Sequence, residues 1–92
     1  MIHSFASGDT AALFNSKPVP KLKNIERVAR RKMLQLAAAT ELNSLRIPPA
    51  IRLEILKGNR KGQHSIRIND QWRLCFVWQS DGAYSVEIVD YH

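Results

Sequence analysis

The stretch Gly62-Gln63-His64-Ser65-Ile66-Arg67-Ile68-Asn69-Asp70-Gln71-Trp72-Arg73-Leu74-Cys75-Phe76-Val77-Trp78-Gln79-Ser80-Asp81-Gly82 decides the fold. Successive side chains of a strand point to opposite faces, so alternation marks a half-buried strand. Over Gly62 to Asn69, Ile66 and Ile68 alternate with Ser65, Arg67 and Asn69. Asn69-Asp70-Gln71 then has the composition of a tight turn. Beyond it Trp72, Leu74, Phe76 and Trp78 share one face, and Arg73, Cys75 and Val77 the other. Ser80-Asp81-Gly82 holds an Asp-Gly hairpin signal. Ala83 to His92 completes an antiparallel meander with Val86 and Ile88 on one face, and Arg52 to Leu56 predicts a shorter strand before it.

Upstream the period lengthens. Ser7 or Asp9 can cap a short helix through Thr10-Ala11-Ala12-Leu13-Phe14, which Lys17-Pro18-Val19-Pro20 ends. A second helix is expected to start just after Pro20, because Leu22, Ile25, Ala29, Met33 and Leu36 recur every three or four residues. Lys23, Arg27, Arg30 and Arg31 fall largely on its other side, and the pattern fades at Ala37-Ala38-Ala39. Met1 to Phe5 is apolar enough for a first strand, while Thr40 to Pro49 is a connector with one short turn from Glu41 to Leu45. These elements predict one α+β domain over residues 1–92: two N-terminal helices packed on the aromatic face of a small, mainly antiparallel sheet. Arg73 then emerges on the face away from the helices.

Composition narrows the partners. With 45% hydrophobic and 24% charged residues, the 92-residue chain has the make-up of a globular domain. Fourteen Lys and Arg against eight Asp and Glu leave +6, which favours a nucleic acid or an acidic protein, or serves only as a soluble basic surface. The single Cys75 excludes an internal disulfide, fits a reducing cytoplasm, and between Leu74 and Phe76 reads as a buried, inert thiol. No apolar run reaches membrane-spanning length, and Met1-Ile2-His3-Ser4-Phe5 is no signal peptide. Three histidines and one cysteine lack ligand spacing, so neither metal nor cofactor is expected.

Four places can carry chemistry. Lys57-Gly58-Asn59-Arg60-Lys61-Gly62 joins two strands as a basic loop suited to phosphate, or as an ordinary solvated connection. Arg73, between large core residues, presents a rigidly aimed guanidinium to phosphate oxygens, or pairs across strands with Glu87 or Glu54. Asp90 and His92, two apart, share a face if the ending is a strand, offering a carboxylate–imidazole pair; His3 and His64 read as surface or packing residues. Cations and an imidazole without a metal suit one reaction, attack of an RNA 2′-hydroxyl on its own phosphodiester. That reaction needs charge stabilisation and proton transfer, both of which these residues supply.

The start Met1-Ile2-His3-Ser4-Phe5, the run Leu53-Glu54-Ile55-Leu56-Lys57-Gly58-Asn59-Arg60, the strand Gly62 to Arg67, Asn69-Asp70-Gln71-Trp72-Arg73 and the final Asp90-Tyr91-His92 resemble HigB-type toxins of the RelE/ParE group of toxin–antitoxin systems. The resemblance implies a microbial-ribonuclease-like fold and a cytoplasmic, metal-independent endoribonuclease that cleaves messenger RNA on the ribosome. It also implies a HigA-type helix-turn-helix antitoxin, through which alone the toxin meets operator DNA. Carried over by residue, Lys57 and Arg73 would stabilise the scissile phosphate. Asp90 and His92 would handle protons and orientation, and Tyr91 would position a nucleotide. Arg60 and Lys61 would help bind RNA. Glu54, grouped with Arg60 and Lys61 as substrate-binding, departs from the pattern, since some relatives carry histidine there; it can replace that group as a base, pair with a cation or signal weaker catalysis. The same fold is also compatible with a ParE-like inhibitor of DNA gyrase, and the charge with a non-catalytic RNA-binding module.

Overall fold

The computed structural model of the chain describes residues 1–46 and 53–90. Two helices, α1 (Gly8–Phe14) and α2 (Glu26–Ala38), precede four strands, β1 (Glu54–Ile55), β2 (His64–Arg67), β3 (Trp72–Gln79) and β4 (Gly82–Asp90). The strands form one antiparallel sheet in sequential order.

Local chemistry explains each boundary. Ser7 caps α1, its hydroxyl accepting from the Thr10 N–H at 3.2 Å. The buried Thr10 hydroxyl in turn accepts from the Ile88 N–H at 3.0 Å, fastening α1 to β4. The second helix departs from expectation: Pro20–Ile25 is a 3-10 segment, and regular α-helix begins only at Glu26. Leu22 and Ile25, three apart, align on one side of a three-residue turn, so both are buried there. From Ile25 the apolar spacing of four places Ala29 and Met33, then Leu36, inside. The expected turn in the connector is a 3-10 segment at Leu42–Arg46.

Leu13, Ile25, Met33 and Leu36 meet Ile66, Leu74, Phe76 and Val86 in the core, with Trp72, Trp78 and Ile88 packed at its margin. The helices therefore cover the aromatic face of the sheet, as the alternation requires. Asn69 makes the β2–β3 turn, accepting from the Gln71 and Trp72 N–H groups, each at 2.8 Å.

Four strand expectations change. Met1 to Phe5 is not a full strand; it makes isolated parallel bridges, Ile2 to Ala83 and Phe5 to Val86, along the outer edge of β4. The strand expected from Arg52 shrinks to Glu54–Ile55, with Arg52 outside the described residues, and that expected over Gly62 to Asn69 shrinks to His64–Arg67. Finally, β4 carries a bulge. Its register with β3 shifts between Cys75–Glu87 and Val77–Tyr84, where Ser85 takes φ 53°. The extra residue lets Ala83 and Val86, three apart, both point into the core.

Candidate nucleic-acid interface on the open sheet face

The face away from the helices is built in two rows. One runs through Glu54, Ser65, Cys75 and Glu87, which are register neighbours across all four strands. The other runs through Arg67, Arg73 and Val89. Strand alternation fixes both rows as soon as the core face is settled.

Arg73 lies where these rows meet. Its guanidinium donates to the Ser65 hydroxyl and to the Glu54 carboxylate, each at 3.0 Å, and the side chain is only 17% exposed. The cross-strand pairing expected for Arg73 is thus made with Glu54. Glu87 instead takes Arg60, at 3.4 Å, while the Gln63 side-chain carbonyl accepts from the same Arg60 nitrogen at 3.2 Å. Those contacts lay the basic loop, whose Gly58–Arg60 portion is a 3-10 turn, against the sheet. Gly58 has φ 68°, a backbone state that glycine adopts without strain. Lys57 and Lys61 are exposed and, among the described residues, make no ion pair.

The expected site residues are therefore brought together in part. Lys57, Arg60 and Lys61 lie on one loop, while Glu54 and Arg73 form one ion pair on the sheet. Arg73 is the register partner of Val89, immediately before Asp90. Asp90 itself pairs with Trp72, so alternation puts it in the helix-side row, opposite to Arg73, where its carboxylate accepts from the Gln71 amide at 3.1 Å. Tyr91 and His92 lie outside the described residues.

Other groups resolve into structure. Burial pushes the Cys75 thiol up; Glu87 adds to that, while Arg60 and Arg73 oppose it. The thiol is buried, as its apolar neighbours suggest. His64 stacks on Phe76 at 5.9 Å, and burial, then the Arg46 charge, lowers its pKa below the ordinary value. It packs rather than reacts. On α2, Arg30 is not part of an open basic face: it donates to the Leu13 carbonyl at 3.0 Å and pairs with Glu26, tying α2 to α1. Arg27 and Arg31 remain exposed. Among the described residues no three His, Cys, Asp or Glu side chains gather as metal ligands would, and no helix is long and apolar enough to cross a membrane.

Sequence reasoning missed Ser65 and Gln63 as the groups that aim Arg73 and Arg60. It also missed Arg67 as the register neighbour of Arg73. The alternation placing Arg67 and Ser65 on the polar face was visible, but which β3 residues they oppose depends on how the turn closes.

Residues 6–92 match the family described as HigB-like toxin, the RelE-like toxin HigB of type II toxin–antitoxin systems. The chain is 46% identical over 69 residues to Toxin HigB-1 of Vibrio cholerae, covering 75% of this chain and 72% of that protein. It is 32% identical to Endoribonuclease HigB of Proteus vulgaris over the whole of both chains. Among solved structures it is similar to the Staphylococcus aureus YoeB dimer, with a TM-score of 0.56 at 20% identity, covering 99% of this chain and 97% of that one. The heterotetrameric YoeB–YefM toxin–antitoxin complex of the same organism gives 0.57 at 20% identity, covering 100% and 98%. At that identity these two likenesses establish the shared fold.

Proposed function

From the premise that the chain belongs to the HigB-like toxin family of type II toxin–antitoxin systems, we propose that it cleaves translated messenger RNA on the ribosome, without a metal, through attack by the RNA 2′-hydroxyl. Family membership and full-length similarity to a protein named an endoribonuclease make RNA cleavage the activity class and leave gyrase inhibition without support. An antitoxin partner follows from the family; that it is a HigA-type helix-turn-helix protein, which alone meets operator DNA, is part of the proposal, as is a cytoplasmic site of action.

One observation carries the catalytic reading. Arg73 is largely sunk in the open face, braced by Ser65 and Glu54, and is the register partner of Val89, the residue that precedes Asp90. In the reaction the 2′-oxygen attacks phosphorus, its proton passes to a base, the P–O5′ bond breaks, and the departing 5′-oxygen takes a proton. The products are a 2′,3′-cyclic phosphate and a 5′-hydroxyl. Arg73 and Lys57 stabilise the additional negative charge as the phosphorane forms. His92 exchanges the proton, Tyr91 positions the nucleotide, and Asp90, held by Gln71, orients the chain end. Arg60 and Lys61 hold flanking RNA. Glu54 keeps Arg73 aimed.

Inducing the protein and mapping transcript ends by primer extension tests this. Wild type should produce new 5′-hydroxyl ends within translated regions. Lys57→Ala, Arg73→Ala and His92→Gln should each lower cleavage about 10²–10⁴-fold and restore growth while keeping the wild-type unfolding midpoint. If all three variants, folded, still cleaved and arrested growth as wild type does, this constellation would not be the active site.

A further inference from the structure

Arg67 and Arg73 are direct register partners on the open face of β2 and β3. Opposed Cα atoms of antiparallel strands are only about 5 Å apart, and two like charges facing each other at that spacing repel. Carboxylates answer the repulsion among the described residues: Glu54 takes Arg73, and Asp70, in the β2–β3 turn, takes Arg67. The two carboxylates are not equivalent to buried counter-ions. The Glu54 side chain is 53% exposed and that of Asp70 99% exposed, so both carboxylates are open to solvent. Exposed ion pairs of this kind are weak and exchange readily for another anion.

We propose that Arg67 binds the RNA phosphate next to the scissile one. In this arrangement Arg67 and Arg73 form a two-phosphate clamp; Glu54 keeps Arg73 aimed, and Asp70 occupies the Arg67 position until RNA displaces it. The inference rests on the RNA-cleavage reading and extends it to a residue outside the expected site. Two observations support it. The arginines are register partners on one face of the sheet, with opposed Cα atoms about 5 Å apart. Arginine also presents a planar fork that suits phosphate oxygens. In this scheme Arg67 is a binding residue: it never touches the reacting bonds, so its loss acts on substrate affinity and leaves the turnover of bound RNA intact. Asp70 acts as a competitor for that position, so removing its charge strengthens binding.

The test uses the full chain and ribosomes programmed with either of two messengers, a cleavable RNA and one whose 2′-hydroxyls are replaced by hydrogen, so that it binds without reacting. Each neutralised phosphate of a single strand contributes about 0.7 to the slope of log affinity against log salt. Arg67→Gln should therefore lower the slope magnitude by about 0.7, weaken binding about tenfold, and raise KM with kcat unchanged. Asp70→Asn should tighten binding several-fold. Lys21→Gln, at an exposed pair with Asp9 far along the chain, should keep the wild-type slope. An unchanged slope and KM for Arg67→Gln, while wild type still binds and cleaves, overturn the clamp alone. A wild type that neither binds the programmed ribosomes nor cleaves the cleavable messenger overturns the underlying reading. A fall in kcat with unchanged slope would place Arg67 in the chemistry instead and also overturn the inference.

Discussion

Arg73 owes its aim to residues on two other strands: the Ser65 hydroxyl from β2 and the Glu54 carboxylate from β1. Neither contact needs a titrating proton, so Glu54 acts through Arg73. Glu54→Gln, which keeps a side-chain oxygen able to accept from Arg73, should leave cleavage within about threefold and the pH–rate profile unchanged. A general base would cost about 10²–10⁴-fold on removal, and loss of the profile's acid limb would mark Glu54 as that base. His64 gives a second residue-scale prediction. Its Nδ1 is buried and, among the described residues, has no hydrogen-bond partner, and burial, then Arg46, depresses its folded pKa below 6.5. Between the depressed value and 6.5 the unfolded chain holds the extra proton. The stability that neutral His64 confers is therefore complete above about 6.5 and declines as pH falls toward the folded pKa. His64→Phe should retain the stacking on Phe76 and flatten the fall in urea midpoint between pH 7 and pH 5; an equal fall in both proteins would remove His64 as its cause.

At the scale of elements, β4 decides most. Its outer edge is occupied by Met1 to Phe5, with backbone bonds from His3 to the Ala83 carbonyl at 2.8 Å and from Ala83 to the Met1 carbonyl at 2.9 Å. Gly82 lets this segment approach: it has φ 138°, and a β-carbon there would stand 2.3 Å from the Met1 carbonyl oxygen. Gly82→Ala should therefore cost about 2–3 kcal/mol in urea unfolding, well above an ordinary surface substitution. A midpoint equal to wild type would mean that the N-terminal segment does not hold that edge. Turn chemistry and face alternation made β2, β3 and β4 readable in advance, because Asn69 and Asp81-Gly82 close hairpins through short-range interactions. The bulge at Ser85 was not readable. No residue in Ala83-Tyr84-Ser85-Val86 demands it; it arises because Ala83 and Val86 must both reach a core whose position the helices set. The 3-10 start of the second helix escaped for a similar reason, since apolar residues three or four apart suit both helix types.

Across the whole molecule, one hydrophobic cluster holds the helices on the sheet, and its centre is Phe76, fully buried between His64 and Trp78. Phe76→Ala should cost about 3–5 kcal/mol, most of the stability of a chain this size. It should abolish growth arrest by unfolding, seen as a lost or strongly lowered thermal transition, in contrast to Lys57→Ala; a folded, inactive Phe76→Ala would contradict the division between core face and open face. The sequence by itself determined that division, the order of helices and strands, and the presence of Lys57, Arg60, Lys61 and Arg73 on or beside a basic face. Periodicity and turn chemistry are properties of neighbouring residues, and they survive without knowledge of the rest. Only the tertiary structure decided that Arg73 takes Glu54 and Arg60 takes Glu87, that Arg67 stands beside Arg73, and that Asp90 falls in the helix-side row. Those outcomes depend on strand register, which one inserted residue or one turn geometry shifts for every pair beyond it.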